Sequence, residues 1–554
     1  MARSLRECKG TIIPKRHPMV KIILKTAGAA ALAFLICSCS SHELHIKTDA
    51  GTSWWVGVIN RGYMMPYHSN GRVDLDLYAH TDGNQVQPLL LSDRGDVIWS
   101  DYPPKVTIRN GEVMVDAGGK AVHSRAGSTL KEAYEFASEH YFPPSGKTPD
   151  LALISAPQYN TWIELIYDQN QEDILAYARA ILDNGYPPGV LMIDDNWQED
   201  YGKWNFHPGR FPDPHMMMDS LHRMGFKVML WVCPFVSPDC DVYRRLNAQG
   251  VFMQHPPEPG EDAPPYTAMV TWWNGVSAEL DLTNPKAREW LYGELDRLVD
   301  DYGVDGFKLD AGDPFFYKGL KAFRDILPDE HTMLWGEVGL RYPLNEYRAM
   351  YKMGGQPLVE RLRDKYHDWE DVRKLIPNML LQGINGYVFG CPDMIGGGDY
   401  SSFINVSDSL LDQELIVRSA QIHALMPMMQ FSVAPWRVLD ESHRAAVHKA
   451  VETRMEFTPL ILRLSKEAAA TNQPVIRYLE YCFPHRGYAG IKDQFMLGDS
   501  VLVAPVVEKN AFTRNVILPD GTWRYLDGTE YTGPSEAVVD APLDVLPYFI
   551  LADS

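Results

Sequence analysis

The feature that most constrains this chain is a long alternation of short apolar runs with amphipathic helical segments, between about residues 150 and 470. The eight runs that we interpret as strands cover residues 151–154, 189–194, 227–232, 304–310, 333–337, 358–361, 386–390 and 424–431. Strands that alternate with helices in this way are typical of parallel β/α units. Eight such units predict an α/β fold built on a (β/α)8 barrel, although the Met-rich eighth run could equally be helical.

Segments with a different pattern flank the barrel region on both sides. Residues 53–149 contain short runs of alternating polarity separated by Gly-containing turns, which predicts an N-terminal β-sandwich. Residues 471–554 return to this pattern and predict a C-terminal β-sandwich domain. A chain of 554 residues is long enough for these domains, with residues 150–470 as the barrel.

The first 39 residues have the character of a targeting segment. A basic stretch at residues 19–25 precedes an apolar run at residues 27–36, which is too short to span a bilayer, and Ser38-Cys39 follows. This order resembles a bacterial lipoprotein signal, in which Cys39 carries the lipid and residues 40–52 form a tether. The alternative is a plain secretory signal. Both interpretations predict an exported protein, in the periplasm or at the cell surface, with a lipid anchor in the first case only.

Composition narrows the range of partners. A formal charge of −20 argues against nucleic acid, because phosphate binding requires a basic surface. Aromatic residues make up 11% of the chain, and rings with a flat apolar face and a polar tip suit sugar binding. Cys233 and Cys240 could form a disulfide in an oxidising compartment, but their spacing does not decide it. The sequence leaves the oligomeric state open.

Polar side chains recur where the predicted strands end, which is where barrel enzymes place their chemistry. These residues are Asp194, Asp195, Asp310, Glu337, Arg361 and Asp393. Lys308 and Asp310 share one face of the fourth strand, so a cation would sit beside a carboxylate and keep it ionised. The alternative is that this pair only stabilises the end of the strand.

Several carboxylates and tryptophans at one barrel mouth favour glycoside hydrolysis. That reaction needs one carboxyl group to protonate the leaving oxygen and a second to attack or to activate water. Glu337 and Asp393 both end predicted strands, and either could supply the acid. The adjacent carboxylates of Asp194 and Asp195 could instead hold a metal, but no cluster of further ligands supports this, and we expect neither a metal nor a cofactor.

Four stretches resemble glycoside hydrolase family 31, a family of α-glucosidases, α-xylosidases and α-galactosidases. They are Phe307-Lys308-Leu309-Asp310-Ala311-Gly312, Pro392-Asp393-Met394-Ile395-Gly396-Gly397, Ala424-Leu425-Met426-Pro427 and Gly498-Asp499-Ser500-Val501-Leu502-Val503-Ala504-Pro505-Val506. Residues 189–198, 206–214, 272–275 and 429–432 further resemble the branch of the myogenesis-regulating glycosidases, which is similar to α-galactosidases.

The resemblance implies a retaining, exo-acting α-glycosidase with Asp310 as the nucleophile and Asp393 as the acid/base. The residues that it implies for sugar binding are Asp194, Asp195, Trp231, Trp272, Trp273, Lys308 and Arg361. The branch implies that the substrate is a terminal α-galactoside of an oligosaccharide or glycoconjugate. The alternatives are an α-glucosidase or α-xylosidase of the same family, or a sugar-binding lipoprotein without turnover.

Overall fold

The computed structural model describes residues 43–80, 82–257, 260 and 262–552. The predicted signal segment, including Cys39, lies outside these residues. Among the described residues, no helix combines the length and the apolar character that crossing a bilayer requires. Cys233, Cys240, Cys391 and Cys482 are all free thiols, so the open question of a Cys233–Cys240 disulfide is answered in the negative for this structure.

The N-terminal strands form two antiparallel sheets, ordered β1-β8-β7-β4 and β3-β2-β5-β6-β9. They are β1 (Glu43–Lys47), β2 (Ser53–Val58), β3 (Tyr67–His68), β4 (Arg72–Asp76), β5 (Gln85–Ser92), β6 (Asp96–Ser100), β7 (Lys105–Arg109), β8 (Glu112–Asp116) and β9 (Ala121–Arg125). Apolar residues of both sheets, such as Trp55 and Ile108, are buried in the same core, as a β-sandwich requires. Strand β1 pairs along the whole of β8, so the prediction of a tether is wrong for residues 43–47.

The middle of the chain forms the predicted barrel. Its strands and those of its insertions are β10 (Gln158–Asn160), β11 (Val190–Ile193), β12 (Gln198–Asp200), β13 (Lys203–Phe206), β14 (Lys227–Val232), β15 (Phe235–Val236), β16 (Gln254–His255), β17 (Tyr266–Thr267), β18 (Met269–Trp272), β19 (Gly275–Glu279), β20 (Gly306–Leu309), β21 (Leu344–Tyr347), β22 (Met350–Tyr351), β23 (Glu360–Arg361), β24 (Gly390–Cys391) and β25 (Gln430–Phe431). Eight of them are parallel neighbours in the order β24-β23-β21-β20-β14-β11-β10-β25. A parallel bridge between Met394 and Gln430 joins the two ends of this sheet, so the barrel is nearly closed.

Two of the eight predicted strands are misplaced, and two others are much shorter than predicted, since only Gly390 of residues 386–390 and only Gln430 and Phe431 of residues 424–431 are in strands. Residues 333–337 lie in a helix, and the fifth barrel strand is β21, which follows that helix. Residues 152–155 form a short helix, and the first barrel strand is β10. In the eighth unit a helix continues to Ala424. Short apolar runs suit a buried helix as well as a buried strand, which explains these errors.

Most of the helices lie in the barrel region, whereas the helix at Leu130–Tyr141 packs against the N-terminal strands β5 and β6. They are α1 (Leu130–Tyr141), α2 (Ala152–Ser155), α3 (Trp162–Leu165), α4 (Gln171–Asp183), α5 (Pro214–Arg223), α6 (Asp241–Gln249), α7 (Pro285–Tyr302), α8 (Pro314–Tyr317), α9 (Pro328–Gly339), α10 (Trp369–Gly383), α11 (Gln413–Ala424), α12 (Pro435–Val438), α13 (Glu441–Thr471) and α14 (Leu479–Cys482), with 3-10 turns at Ile59–Met64, Tyr400–Ser402 and Asp408–Leu410. Helix α7 begins and ends as its sequence predicts. The Asn284 side chain caps it, Pro285 is its first residue, and Gly303 ends it at φ +71°.

The predicted C-terminal β domain is confirmed. Its strands are β26 (Ile476–Arg477), β27 (Phe495–Leu497), β28 (Val501–Val503), β29 (Thr513–Tyr525), β30 (Glu530–Asp540) and β31 (Tyr548–Leu551). They form one antiparallel sheet in the order β26-β27-β28-β31-β29-β30. A second hydrophobic core, which includes Leu502, Trp523 and Phe549, stabilises this domain.

Candidate active site

A cavity of ≈ 380 Å³ opens at the carboxyl ends of the barrel strands. Its walls carry Trp162, Tyr167, Asp194, Asp195, Trp231, Trp273, Lys308, Asp310, Asp313, Phe315, Arg348, Arg363, Asp364, Asp399 and Tyr400, together with Gly83 of the N-terminal domain. The sequence analysis predicts nine site residues, two catalytic and seven sugar-binding, and six of these nine line this one cavity. A larger cavity, of ≈ 560 Å³, lies between α10 and the C-terminal sheet, and none of the predicted residues lines it.

Asp310 lies just beyond the end of β20 and is held by three donors. Its Oδ1 accepts hydrogen bonds from Arg348 Nε at 3.1 Å and from its neighbour's backbone N–H at 2.8 Å. Its Oδ2 accepts one from Trp231 Nε1 at 3.0 Å. Burial would raise the pKa of Asp310, but the positive charges of Arg348, Lys308 and Arg361 outweigh it and hold that pKa well below its usual range. A buried carboxylate that stays ionised is suited to nucleophilic attack.

Arg348 is a site residue that the sequence interpretation missed. It follows β21 directly, and its guanidinium bridges Asp310 and Asp313, with Nη2 2.6 Å from Asp313 Oδ2. The signal was present, because a charged residue at a barrel strand end is a candidate for the site. Interpreting residues 333–337 as the fifth strand hides this position, because the true strand ends at Tyr347, directly before Arg348. For the same reason Glu337 is not a rival acid, since it lies on the exposed face of α9.

The predicted partner of Lys308 is wrong. Lys308 Nζ is 2.6 Å from Asp194 Oδ2, so its ion pair is with Asp194 rather than with Asp310. Burial lowers the pKa of Lys308, but the charge of Asp194 more than compensates, and the amine stays protonated. Lys308 still contributes to the low pKa of Asp310 through its charge, although Arg348 makes the direct contact. The pair also leaves less reason to regard Asp194 as a metal ligand.

Asp195, which also lines the cavity, is the centre of a polar network. Its carboxylate accepts from Asn274 Nδ2 at 2.5 Å and from the Tyr201 hydroxyl at 3.1 Å. Asn274 in turn accepts from the Tyr167 hydroxyl at 3.2 Å. Burial, and secondarily the charge of Asp194, raises the pKa of Asp195 to about 7. This network presents fixed polar groups to a ligand, which is the requirement for discriminating one hydroxyl orientation from another.

The predicted acid/base, Asp393, does not reach the cavity. Its side chain is 0% exposed, and its Oδ1 pairs with Arg361 Nη1 at 2.5 Å. Its Oδ2 accepts from the backbone N–H groups of Lys365, at 2.7 Å, and Gly398, at 3.1 Å. Burial raises the pKa of this carboxyl group, and Arg361 opposes the increase. A carboxyl group enclosed in this way has no access to a leaving oxygen, so the structure contradicts the predicted role.

Asp364 is the carboxylate that occupies the expected place. It lines the cavity together with Asp310, and its side chain is 38% exposed. Arg361 Nη1 donates to Asp364 Oδ1 at 2.7 Å and bridges it to Asp393, so Arg361 lies beneath the cavity and not on its wall. Arg361 Nε is also 3.4 Å from Glu346. Three carboxyl groups thus share one cation, and Asp364 alone of the three is open to the cavity.

The predicted tryptophans have different positions. Trp231 lines the cavity and donates to Asp310, as described. Trp273 also lines it, is 48% exposed, and lies under the guanidinium of Arg348 at 5.6 Å from the ring centre. Trp272 is buried beneath, stacked on Trp231 with 6.5 Å between ring centres, and it does not reach the cavity wall. Trp272 therefore supports the site by packing.

The cavity at the barrel mouth combines a buried, ionised carboxylate, a second and more open carboxylate, and aromatic side chains. This combination is typical of a glycoside hydrolase. The comparisons with known families agree. The family model described as "Glycosyl hydrolases family 31 TIM-barrel domain" matches residues 156–365, and "Glycosyl hydrolase family 31 C-terminal domain" matches residues 472–554. The chain belongs to glycoside hydrolase family 31, whose members act with retention of configuration.

Two curated relatives illustrate the similarity. The chain is 33% identical over 442 residues to the myogenesis-regulating glycosidase of Mus musculus, which covers 77% of this chain and 60% of that protein. It is 24% identical over 509 residues to alpha-glucosidase 2 of Bacillus thermoamyloliquefaciens, which covers 82% of this chain and 62% of that protein. The chain thus spans about three-fifths of the length of these relatives.

Solved structures share the fold. A GH31 dextranase of Flavobacterium johnsoniae in complex with glucose superposes with a TM-score of 0.78 at 19% identity, covering 92% of this chain and 66% of that one. A GH31 alpha-xylosidase from a soil metagenome, in complex with xylose, gives a TM-score of 0.75 at 22% identity, covering 92% and 79%. At such identities the likeness extends to the fold and not to the substrate.

Proposed function

We propose that this protein is a retaining, exo-acting α-glycosidase in which Asp310 is the nucleophile and Asp364 the acid/base. The observation that carries the proposal is that these two carboxylates line one cavity, with Arg348 and Trp231 holding the first. Asp364 replaces Asp393 in the role assigned from the sequence, because Asp393 is enclosed by Arg361 and two backbone N–H groups.

The mechanism follows from these positions. Asp310 Oδ attacks the anomeric carbon while Asp364 transfers its proton to the leaving oxygen, so the glycosidic bond breaks as the glycosyl–enzyme ester forms. Asp364, now ionised, takes a proton from water, and the resulting hydroxide attacks the same carbon and releases Asp310. Each displacement inverts the centre once, so the product keeps the α configuration. The Lys308–Asp194 pair and Asp195 lie on the walls that would hold the hydroxyls of the cleaved sugar.

Within this class we propose that the cleaved sugar is α-galactose. The support is the resemblance of residues 272–275 to an α-galactosidase branch, together with Asp195 on the cavity wall, which Tyr201 and Asn274 hold in place from behind that wall. Gln430, in the other stretch of that resemblance, is buried in the barrel interior, where it contacts Gln158 and Glu346, so it gives no direct support. Polar groups placed for one 4-hydroxyl epimer are left unpaired by the other, at a cost of roughly 1–3 kcal/mol.

The alternative activities are those of an α-glucosidase or an α-xylosidase, since proteins with these names are among the similar ones. A panel of nitrophenyl α-galactoside, α-glucoside and α-xyloside decides between them. We expect the largest kcat/KM on the galactoside. A larger value on either other glycoside would replace the proposed substrate, and no turnover of any of the three would leave only the sugar-binding lipoprotein.

We also propose that the protein is exported and anchored to a membrane through a lipid on Cys39, as the order of charge, apolar run and Ser38-Cys39 indicates. The carbohydrate substrate would then be met outside the cytoplasm. Cys39→Ala should move the protein from the membrane fraction to the soluble fraction after cell lysis. If the Cys39→Ala variant stays in the membrane fraction, the lipid anchor is refuted, and the proposed enzymatic activity is unaffected.

A further inference from the structure

We propose that the segment leading into β5 of the N-terminal domain is a positioning element of the active site, with Gln85 and Gly83 as its positioning residues. The inference rests on the proposed function, because its effect is read through turnover. In this view the N-terminal domain sets the place of the two arginines that hold Asp310 and Asp364, although it contributes no reacting group.

The side-chain amide of Gln85 joins two loops of the barrel mouth. Its Nε2 donates to the backbone carbonyl of Arg348 at 2.6 Å and to that of Arg361 at 3.0 Å. Its Oε1 accepts from Gln382 Nε2 at 2.8 Å, so all of the strong contacts of this buried amide are made. One side chain from the N-terminal domain therefore sets the separation of the two arginines.

Gly83 acts on Arg348 from the other end of the side chain. Its carbonyl accepts from Arg348 Nη1 at 2.8 Å, on the opposite edge of the guanidinium from Asp310. Gly83 has a φ of +75°, and a Cβ added there would lie 3.3 Å from Arg348 Nη1 and 3.7 Å from Arg363 Cδ. The backbone thus approaches the guanidinium as closely as a residue without a side chain allows.

The barrel itself holds these arginines weakly. Strands β21 and β23 share a single ladder pair, Tyr347 with Glu360, whereas β20 and β21 share four. The N-terminal domain supplies the missing constraint, because β5 also pairs in parallel with β22, through Gln85 and Met350. Where the ladder is this short, a polar anchor adds to the few other contacts that join the two strand ends, among them the ion pair of Arg361 with Glu346.

A displacement of Arg348 should change the pKa of Asp310. The charged groups that face Asp310 are Arg348, Lys308 and Arg361, and Arg348 makes the direct hydrogen bond. If Arg348 moves away, burial raises the pKa of Asp310, and the ionised form that attacks is lost at a higher pH than before. A shift of the acidic limb of kcat/KM is therefore a signature that simple destabilisation would not produce.

The first experiment compares Gln85→Met with Gln87→Met. Both glutamines are buried on β5, two residues apart and so on the same face of the strand. The side-chain oxygen Oε1 of Gln87, however, accepts a hydrogen bond from the Tyr387 hydroxyl, and the Gln87 side chain contacts neither arginine. We measure kcat/KM against pH on a nitrophenyl α-galactoside, with thermal unfolding as a check on folding. Gln85→Met should lower kcat/KM roughly tenfold and move the acidic limb to higher pH, while Gln87→Met keeps the wild-type profile.

A second pair keeps the test decisive if Gln85→Met does not fold. Gly83→Ala and Gly118→Ala both place alanine at positive φ in a turn of the N-terminal domain, at +75° and +58°. The new Cβ meets Arg348 only in the first, since nothing lies within 4 Å of it at Gly118. Gly83→Ala should move the acidic limb in the same direction, and Gly118→Ala should not.

The outcomes separate the two claims. If the wild type turns over the galactoside and the members of each pair share one pH profile, the positioning role is wrong and the proposed function stands. If the wild type turns over no α-glycoside, the proposed function fails and this inference falls with it. A shifted limb confined to Gln85→Met and Gly83→Ala supports both.

Discussion

The two halves of the barrel mouth are built differently. On one half β11, β14, β20 and β21 pair over four residues at each interface, and we call this the long-strand side. On the other half β23, β24 and β25 have two residues each, and we call this the short-strand side. The long-strand side carries Trp231 and Asp310, and the short-strand side carries Arg361 and Asp364.

The difference explains which side chains reach the cavity. In a four-residue ladder the alternation of faces decides where each side chain points, so a residue at the strand end is placed by the strand itself. In a two-residue strand the loop that follows decides, and contacts from outside the barrel fix that loop. Arg361 illustrates this, because Gln85 of the N-terminal domain holds its carbonyl and Asp393 holds its guanidinium.

The largest effect should come from the long-strand side. Asp310→Asn removes the nucleophile while keeping the size and the hydrogen-bond acceptor of the side chain, so kcat/KM should fall by a factor on the order of 10⁴ on every substrate. Thermal unfolding of the variant serves as the control for folding. Substantial activity in Asp310→Asn, measured on enzyme free of wild-type contamination, would show that another group attacks.

Arg348→Met tests the contact that holds the nucleophile. The pKa of Asp310 should rise, because burial then acts with less opposition, and activity should be lost as the pH falls through that higher pKa. We expect a loss of roughly 100-fold in kcat/KM at acidic pH and a smaller loss near neutrality. Arg341→Met, which removes an arginine paired with Asp296 at the surface, is the matched control. An unmoved acidic limb would show that Arg348 does not set the ionisation of Asp310.

A smaller effect should appear in the choice of sugar. Asn274→Ala removes the donor that holds Asp195 at 2.5 Å, so the ratio of kcat/KM on galactoside to that on glucoside should fall roughly tenfold. The ratio is the informative quantity, because a general loss of activity cancels from it. If kcat/KM falls equally on the galactoside and the glucoside, Asn274 has a packing role only, and one argument for galactose as the cleaved sugar is lost.

The smallest effect should come from the rim. Trp273→Ala removes an aromatic contact surface for the substrate, and KM should rise about threefold to tenfold with kcat nearly unchanged, as expected when binding alone is weakened. Leu410→Ala, at an exposed apolar residue that does not line the cavity, is the control. A fall in kcat without a change in KM would indicate that Trp273 acts through Arg348, which lies over its ring.

The sequence predicts the long-strand side well. The third strand has its predicted bounds, and both Asp310 and Trp231 line the cavity. In a long strand with alternating side chains, only one pairing register buries the apolar face, so the direction of each side chain is determined. The partner of Lys308 could not be predicted, since the side chains of β20 and β11 meet only in the closed barrel. Pattern within one strand carries no information about which neighbouring strand supplies the partner.

The short-strand side was predicted less well for a related reason. Asp364 and Asp393 both follow short strand ends by three residues or fewer, and the sequence does not distinguish an enclosed carboxylate from an open one. The backbone N–H groups of Lys365 and Gly398 that enclose Asp393 belong to loops without periodic pattern. The contribution of the N-terminal domain through Gln85 is likewise invisible, because it depends on a contact 276 residues away along the chain.

The central claim is that Asp310 and Asp364, and not Asp393, form the catalytic pair. The most direct measurement is azide rescue of Asp364→Ala and Asp393→Ala on an α-galactoside with a good leaving group, with the configuration of the azide product determined by NMR. Asp364→Ala should form the glycosyl–enzyme without needing an acid, and azide should restore turnover and give α-galactosyl azide. Asp393→Ala should lose stability, by about 1–3 kcal/mol, because the buried backbone N–H groups of Lys365 and Gly398 lose their acceptor, and should give no azide product. An α-galactosyl azide formed by Asp393→Ala and not by Asp364→Ala would contradict the account.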